Sequence, residues 1–341
     1  MINYVAQKHG KLARVKELLN ISKKLNHFTN NGPIKSQLES KIESMLQLGA
    51  DKKVLCFCNG TAALHALMFL SIRKGIASWV SPSFTFPSAV VGGAFSVELK
   101  DIDPKTSTLP LDHSVLKKFD GIILTTLFGS SIDLSLWEDY CRLEKKLLIV
   151  DNASSPMSVI DGRSVCDYGN YSFGSLHHTK YLGVGEGGFA VVPAEEYNDL
   201  LAISNFGFDD NRIHNTFSSN FKMSDISAAH ILAHIERYNV QKHIDIQETI
   251  IEATKDHVEF LNYSPGVVYG NMPVVFRNLP KADHTYFQSM HIVANKYYRP
   301  LEPHPNSMKL YDQIVNLPLY DSLTKSNVQK LIDAIKTYSE I

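Results

Sequence analysis

Net charge is almost absent from this chain: 34 basic side chains against 35 acidic ones leave a formal −1 over 341 residues. That balance removes any general electrostatic case for binding nucleic acid or an anionic membrane surface. Long hydrophobic runs are missing as well. No stretch of 18 apolar residues occurs, so no segment qualifies as a membrane-spanning helix. The opening residues, Met1-Ile2-Asn3-Tyr4-Val5, have no secretory apolar core. Only four cysteines occur, at irregular spacing. Cys56 and Cys58 alternate in a strand-like run, which suits small apolar packing better than a ligand pair. There is no internal repeat and no low-complexity segment. What remains is 44% apolar and 20% charged, the balance of a globular cytoplasmic chain. Its length allows two domains, or one large domain with an appendage.

One stretch stands apart from this ordinary background. Ser175-Leu176-His177-His178-Thr179-Lys180-Tyr181-Leu182-Gly183-Val184-Gly185-Glu186-Gly187-Gly188 sets a lysine just before a dense glycine turn. A solvated loop lysine needs no such setting. A lysine that must attack a carbonyl does, because the neutral amine is the nucleophile. Gly183, Gly185 and Gly188 also match G-x-G-x-x-G, but a dinucleotide site requires a strand before the glycines and a helix after them. Here the β-branched run Ala190-Val191-Val192 follows, so the glycines read as a turn feeding a strand, and a nicotinamide site is rejected.

Taken in order, residues 11 to 48 read as two helical pieces broken by Asn26-His27-Phe28-Thr29-Asn30-Asn31-Gly32-Pro33. The second, Ser36 to Leu48, places Leu38, Ile42, Met45 and Leu46 on one face. A short strand, Val54 to Cys58, then runs into Asn59-Gly60-Thr61 and a helix. Unpaired amides at that helix start suit a phosphate, although plain N-capping is the competing explanation. Trp79 to Pro82 ends a second strand, and a turn at Phe84-Thr85-Phe86-Pro87 leads to a helix beginning over Ser88 to Gly93. An aromatic at such a turn either lids the core or stacks on a flat ring. Further strands are expected at Gly121 to Thr126 and Lys146 to Val150, with a helix over Leu134 to Glu144 between them. The latter strand ends in Asp151, which either meets a ligand at the strand end or caps the next turn. Adjacent histidines on a strand point apart, so His177 and His178 make a poor metal site and no metal is expected.

Alternating strands and helices from about 54 to 195 predict an α/β domain with a mainly parallel sheet. Composition shifts at Ser204 to Thr216. Helical pieces follow at Ser224 to Tyr238, His243 to Leu261 and Val328 to Tyr338. A large domain over residues 1–205 and a smaller C-terminal α/β domain over 206–341 are therefore expected.

A phosphate-like helix start, an acid at 151 and a lysine at 180 sit on separate strand ends. Pyridoxal phosphate needs such a set: a helix start for its phosphate, a carboxylate for its ring nitrogen and a lysine for its aldehyde. Over most of its length the chain also resembles the DegT/DnrJ/EryC1/StrS sugar aminotransferases of fold type I. The resemblance is carried by Thr29 to Pro33, Asn59 to Leu64, Ser83 to Phe86, Asp101-Ile102-Asp103, the Ser175-to-Gly188 block, Asn220 to Met223 and Asn316 to Tyr320.

That resemblance implies a fold type I transferase, with Lys180 as the amine that joins the cofactor and carries the proton. Asp151 would pair with the ring nitrogen and Phe86 would stack on the ring. Gly60, Thr61 and Ser175 would hold the phosphate, and Asn220 would reach the phosphate of a neighbouring subunit, which makes the assembly a homodimer with shared sites. One departure concerns Ser154, which stands where the family usually has glutamine or histidine against the cofactor's phenolic oxygen. Asn152 replaces a usual alanine. The contact is then lost, water-mediated or supplied by Asn152. The implied reaction moves an amino group from glutamate to a nucleotide-linked keto-6-deoxy sugar, dTDP-linked and aminated at carbon 4 or 3, for amino-sugar or polysaccharide synthesis. The dehydratase branch carries histidine in place of the lysine, so Lys180 argues against it. The alternative from another class is a non-catalytic sensor that kept the fold and the cofactor pocket.

Overall fold

Two asparagines in left-handed geometry, Asn30 and Asn31 at φ 52° and 64°, turn the chain sharply before Pro33. The computed structural model describes residues 1–8, 11–91, 96–208 and 217–341. It places helices α1 (Leu12–Leu25) and α2 (Pro33–Leu46) on either side of that turn. Proline at the first helical position starts α2 three residues earlier than the sequence pattern, because its missing N–H is not needed there. Leu38, Ile42 and Leu46 are buried, while Met45 is only partly covered.

Strand β1 (Lys52–Phe57) and helix α3 (Gly60–Ile72) lead into β2 (Ser78–Pro82), β3 (Ser96–Lys100), the short helix α4 (His113–Leu116) and β4 (Gly121–Thr125). Helix α5 (Leu134–Leu143), β5 (Leu147–Asp151), the small hairpin β6 (Val159–Ile160) and β7 (Arg163–Ser164), β8 (Tyr171–Ser175), β9 (Gly188–Pro193) and α6 (Tyr197–Ser204) follow. Among the described residues one seven-stranded sheet forms, in the order β1-β9-β8-β5-β4-β2-β3. The run β8-β5-β4-β2-β3 is parallel; β9 runs antiparallel to both of its neighbours. β5 is buried at every residue, as a strand covered on both faces must be.

Helix α7 (Asp225–Ile235) packs against α1 and α2 and adds Ala228, Ala229 and Ile231 to the core that holds Leu38 and Val150. Its first residue makes the join. The buried Asp225 carboxylate accepts hydrogen bonds from the amides of Ile34 (3.2 Å) and Lys35 (2.9 Å), and from the Ser22 hydroxyl (2.5 Å). It therefore satisfies the open amides of α2 from a distant part of the chain. Asp225→Ala strands these buried donors and should lower unfolding stability by about 2–4 kcal/mol, read as a shift of the denaturant midpoint.

A second core gathers α8 (Val240–Thr254), the sheet of β10 (Glu259–Phe260), β11 (Met272–Val275) and β12 (Ile314–Leu317), the short α9 (Tyr286–Ser289), α10 (Pro305–Gln313) and α11 (Lys325–Ser339). Asp101, from the first of the resembling Asp101-Ile102-Asp103 residues, ties the two parts together. Its carboxylate accepts from the Asn306 amide and from the amide and hydroxyl of Ser307, at 2.8–2.9 Å, at the start of α10.

Three local expectations give way. The helix expected from Ser88 is only a 3-10 turn over Pro87–Ala89, since the β-branched Val90 and Val91 continue a helix poorly; residues 92 and 93 of that expectation lie outside the described residues. Similarly, α8 stops at Thr254 rather than Leu261, because Glu259 and Phe260 pair with Val275 and Val274 as an edge strand. His177 and His178 lie in the loop after β8, not on a strand. Of the composition shift at 204 to 216, residues 209–216 lie outside the described residues. No described helix is long and apolar enough to cross a membrane.

Candidate active site

Parallel strands deliver their carboxyl ends to one edge of a sheet, and a cavity of about 880 Å³ opens there. Thr125, Asp151 and Ser175, the last residues of β4, β5 and β8, all line it. Asp151 is 5% exposed, and its Oδ1 accepts a 2.9 Å hydrogen bond from the Ala153 amide. Burial raises its carboxyl to about 6, while the Ala153 amide and the charge of Lys180 pull the other way. A buried carboxylate with so little compensation calls for a proton-bearing or cationic group opposite it.

Lys180 reaches the same cavity from the loop between β8 and β9. The two limbs of that loop pair through Leu176 N to Gly187 O and His178 N to Gly185 O, each 2.8 Å. Gly185 takes a φ of +68°, which a side chain would strain. Gly188 opens β9 so close to α3 that a Cβ there would stand 2.4 Å from the Gly60 nitrogen. The glycines thus serve a loop and a close strand–helix approach.

At the start of α3 the Asn59 side chain accepts from the Ala62 amide at 2.8 Å, so Asn59 is the cap. The amides of Gly60 and Thr61 have no protein acceptor among the described residues. A Cβ on Gly60 would lie 3.3 Å from that of Ser175, so the Ser175 side chain borders these amides. Gly60, Thr61 and Ser175 thus set open donors at the positive end of the helix, a setting that suits an anion. Asn59 accounts for the cap, and the amides of Gly60 and Thr61 remain open beside it.

Phe86 and Ser154 also line the cavity. Phe86 is 53% exposed and meets Tyr298 edge-on at 5.8 Å, leaving a ring face open. Asn152 does not line it. Its side chain is fully buried, donating to Val165 O and accepting from the Thr126 hydroxyl, both at 3.0 Å, so it is turned away from the cavity and does not replace the missing glutamine or histidine. His177 lines the cavity, with Nδ1 2.9 Å from the Thr179 hydroxyl. Asn220 is exposed, forms a β-bridge with Asn205 and lies outside the cavity of its own chain, whereas its neighbour Phe221 lines it.

The sequence reading missed one whole wall: Tyr4, Lys8, Tyr297, Tyr298 and Tyr320. Only Tyr320 carried a signal, as the end of the Asn316-to-Tyr320 motif.

The match of the family model for DegT/DnrJ/EryC1/StrS aminotransferases covers residues 10–264. The chain belongs to that family. Similar to this aminotransferase is a dTDP-4-amino-4,6-dideoxy-D-glucose transaminase of Shigella dysenteriae, 26% identical over 91% of each chain. A GDP-perosamine synthase of Vibrio cholerae is 26% identical over 70% of this chain and 66% of its own. In solved structures, a DegT DnrJ EryC1 StrS aminotransferase from Brucella abortus superimposes with a TM-score of 0.82 at 22% identity, over 97% of this chain and 96% of that one. Relatives named as transaminases leave the sensor alternative without support.

The cofactor of the family is pyridoxal phosphate, and the aminotransferase's residues fit it. The open amides of Gly60 and Thr61 with Ser175 suit its phosphate, the uncompensated Asp151 suits its ring nitrogen, and Lys180 suits its aldehyde.

Proposed function

We propose that this aminotransferase moves an amino group from glutamate to a nucleotide-linked keto-6-deoxy sugar, at ring carbon 4 or 3, for amino-sugar or polysaccharide synthesis. One observation carries the reading: Lys180, the raised Asp151 carboxyl and the open start of α3 share a single cavity. The substrate class follows the names of the relatives, and the longer match, to the Shigella enzyme, favours dTDP over GDP.

Bound pyridoxal phosphate supplies an electron-withdrawing ring that makes the donor's α-carbon acidic. The chain does the rest. Gly60, Thr61 and Ser175 would bind the phosphate, and the open face of Phe86 would pack on the ring. Asp151 would hold a proton on the ring nitrogen. Nζ of Lys180 would accept the proton from the glutamate α-carbon, and in the second half-reaction would carry one to the sugar carbon that gains the amine. Ser154 is too short to stand in for glutamine or histidine unaided.

A panel of nucleotide-linked keto-sugars, each incubated with glutamate and read by mass spectrometry, tests the substrate class. A dTDP-linked keto-sugar should gain the mass of amine replacing ketone while 2-oxoglutarate accumulates. Amination of free keto acids alone would reject the reading.

The assembly belongs to the same proposal. Asn220 sits on the surface, paired with Asn205 and outside the cavity of its own chain, where a second copy could present it to another site. In a two-fold dimer each Asn220 would complete the partner's phosphate site. Mixing inactive Lys180→Ala with inactive Asn220→Asp should then restore up to about a quarter of the activity, because random exchange puts half of the chains in mixed dimers with one intact site each. No recovery despite demonstrated subunit exchange would rule out shared sites.

A further inference from the structure

Part of the missed wall of the cavity, Tyr4 and Lys8, comes from the N-terminal segment, whose two ends are fixed to different parts of the molecule. At one end Ile2 is buried in the second core and pairs in parallel with Ile292: its amide donates to His291 O at 2.8 Å, and the Val293 amide donates to Ile2 O at 2.9 Å. Next to it, the Tyr320 hydroxyl donates to Asn3 O at 3.2 Å. Tyr4, Val5 and Ala6 then pass along the cavity, with Tyr4 edge-on to Tyr297 at 5.8 Å. At the other end the Lys8 ammonium donates to the main-chain carbonyls of Lys180 (2.7 Å) and Tyr181 (3.2 Å).

Lys8 makes no ion pair among the described residues. Burial pulls its pKa down to about 8, and the charge of Asp321 only partly opposes this. This half-buried cation is held by two carbonyl dipoles, and those dipoles belong to the loop that presents Lys180. The Lys180 carbonyl already accepts from the Gly183 amide at 2.9 Å, and the Tyr181 carbonyl from His234 Nε2 at 2.8 Å. Lys8 is a third tie on the same two peptides. The Lys180 side chain has no hydrogen bond of its own among the described residues, so the seat of its backbone decides where Nζ stands.

We propose that residues 2–8 form a strap between the second core and the Lys180 loop, and that Lys8 is a positioning residue for the Lys180 amine. The proposal rests on Lys180 as the reacting group. Movement of the 291–293 or 320 regions on substrate binding would reach Lys180 through this strap.

Amide hydrogen exchange on the cofactor-free protein tests it without any appeal to the substrate. Lys8→Met should speed exchange at the amides of Lys180 and Gly183 by roughly tenfold or more and leave the strands of the main sheet unchanged. With cofactor and substrates, the same variant should lose kcat by roughly 10- to 100-fold with little change in the KM for glutamate, because a misplaced amine harms chemistry more than binding. Lys8→Arg keeps donors for both carbonyls and should recover most of both signals. Ile2→Asp, which loosens the far end without touching the cavity, should reproduce the faster exchange at 180 and 183. Unchanged exchange at these amides in Lys8→Met would overturn the positioning role, and unchanged exchange in Ile2→Asp would overturn the strap. If the keto-sugar panel failed while these exchange effects held, the substrate assignment would fall and the strap would stand.

Discussion

Lys180→Ala should abolish amino-group transfer, lowering turnover by roughly 10³-fold or more, because both the attacking amine and the proton carrier go with one side chain. The fold should not notice. Only main-chain atoms of Lys180 take part in the loop: its amide donates to His177 O at 2.8 Å, and its carbonyl accepts from Gly183 and Lys8. Unfolding stability should change by no more than about 1 kcal/mol, since the Lys180 side chain makes no hydrogen bond among the described residues and acts on the fold only through its attraction to Asp151. Release of 2-oxoglutarate from glutamate in a single turnover is the measurement. Wild-type release in the variant would remove Lys180 from the reaction.

Asp151→Asn should separate function from stability. Loss of the carboxylate removes the charge that keeps a proton on the ring nitrogen, and turnover should fall by roughly 10²- to 10³-fold, the scale of other lost electrostatic stabilisers. Stability of the cofactor-free protein should move the other way. The folded-state pKa of Asp151 is raised from 3.8 to about 6 by burial. A raised carboxyl favours the fold fully below pH 3.8, and that contribution is lost as the pH climbs through about 6. At pH 7 the buried charge then costs up to roughly 3 kcal/mol, which the neutral amide does not incur. The variant should therefore be more stable than the parent at pH 7, with the advantage fading towards pH 4. Denaturant midpoints of both proteins across pH 4 to 7 check this. A variant less stable than the parent at pH 7 would show that Asp151 serves mainly as a cap.

Lys180, Asp151 and the Gly60-Thr61 helix start were legible in the sequence because each sits at a junction that local pattern defines: a strand end, a glycine turn, a helix start. Their convergence follows from the parallel run of the sheet, which sends β4, β5 and β8 to one edge. Lys8 was not legible, since nothing in the periodicity of a chain links residue 8 to residues 180 and 181, more than 170 positions away. Tyr4, Tyr297 and Tyr298 share that difficulty: they meet only when the N-terminal segment crosses to the second core. Asn152 misled for a different reason. It adjoins Asp151 in sequence, but alternation along the extended chain turns its side chain the other way, into Val165 and Thr126. The helix expected from Ser88 is only a 3-10 turn that starts at Pro87, because the β-branched residues after it could not sustain a helix.

Two lysines line the cavity, Lys8 and Lys180, and the proposed chemistry requires that Lys180 alone carry the cofactor. Reduction of the pyridoxal-phosphate-loaded protein with borohydride, followed by peptide mapping, distinguishes them. Reduction fixes the cofactor to whichever amine holds it. The cofactor should be found on Lys180, in the peptide that contains Thr179 and Tyr181, with Lys8 unmodified. Attachment at Lys8, or a loaded protein from which reduction fixes no cofactor, would contradict the account.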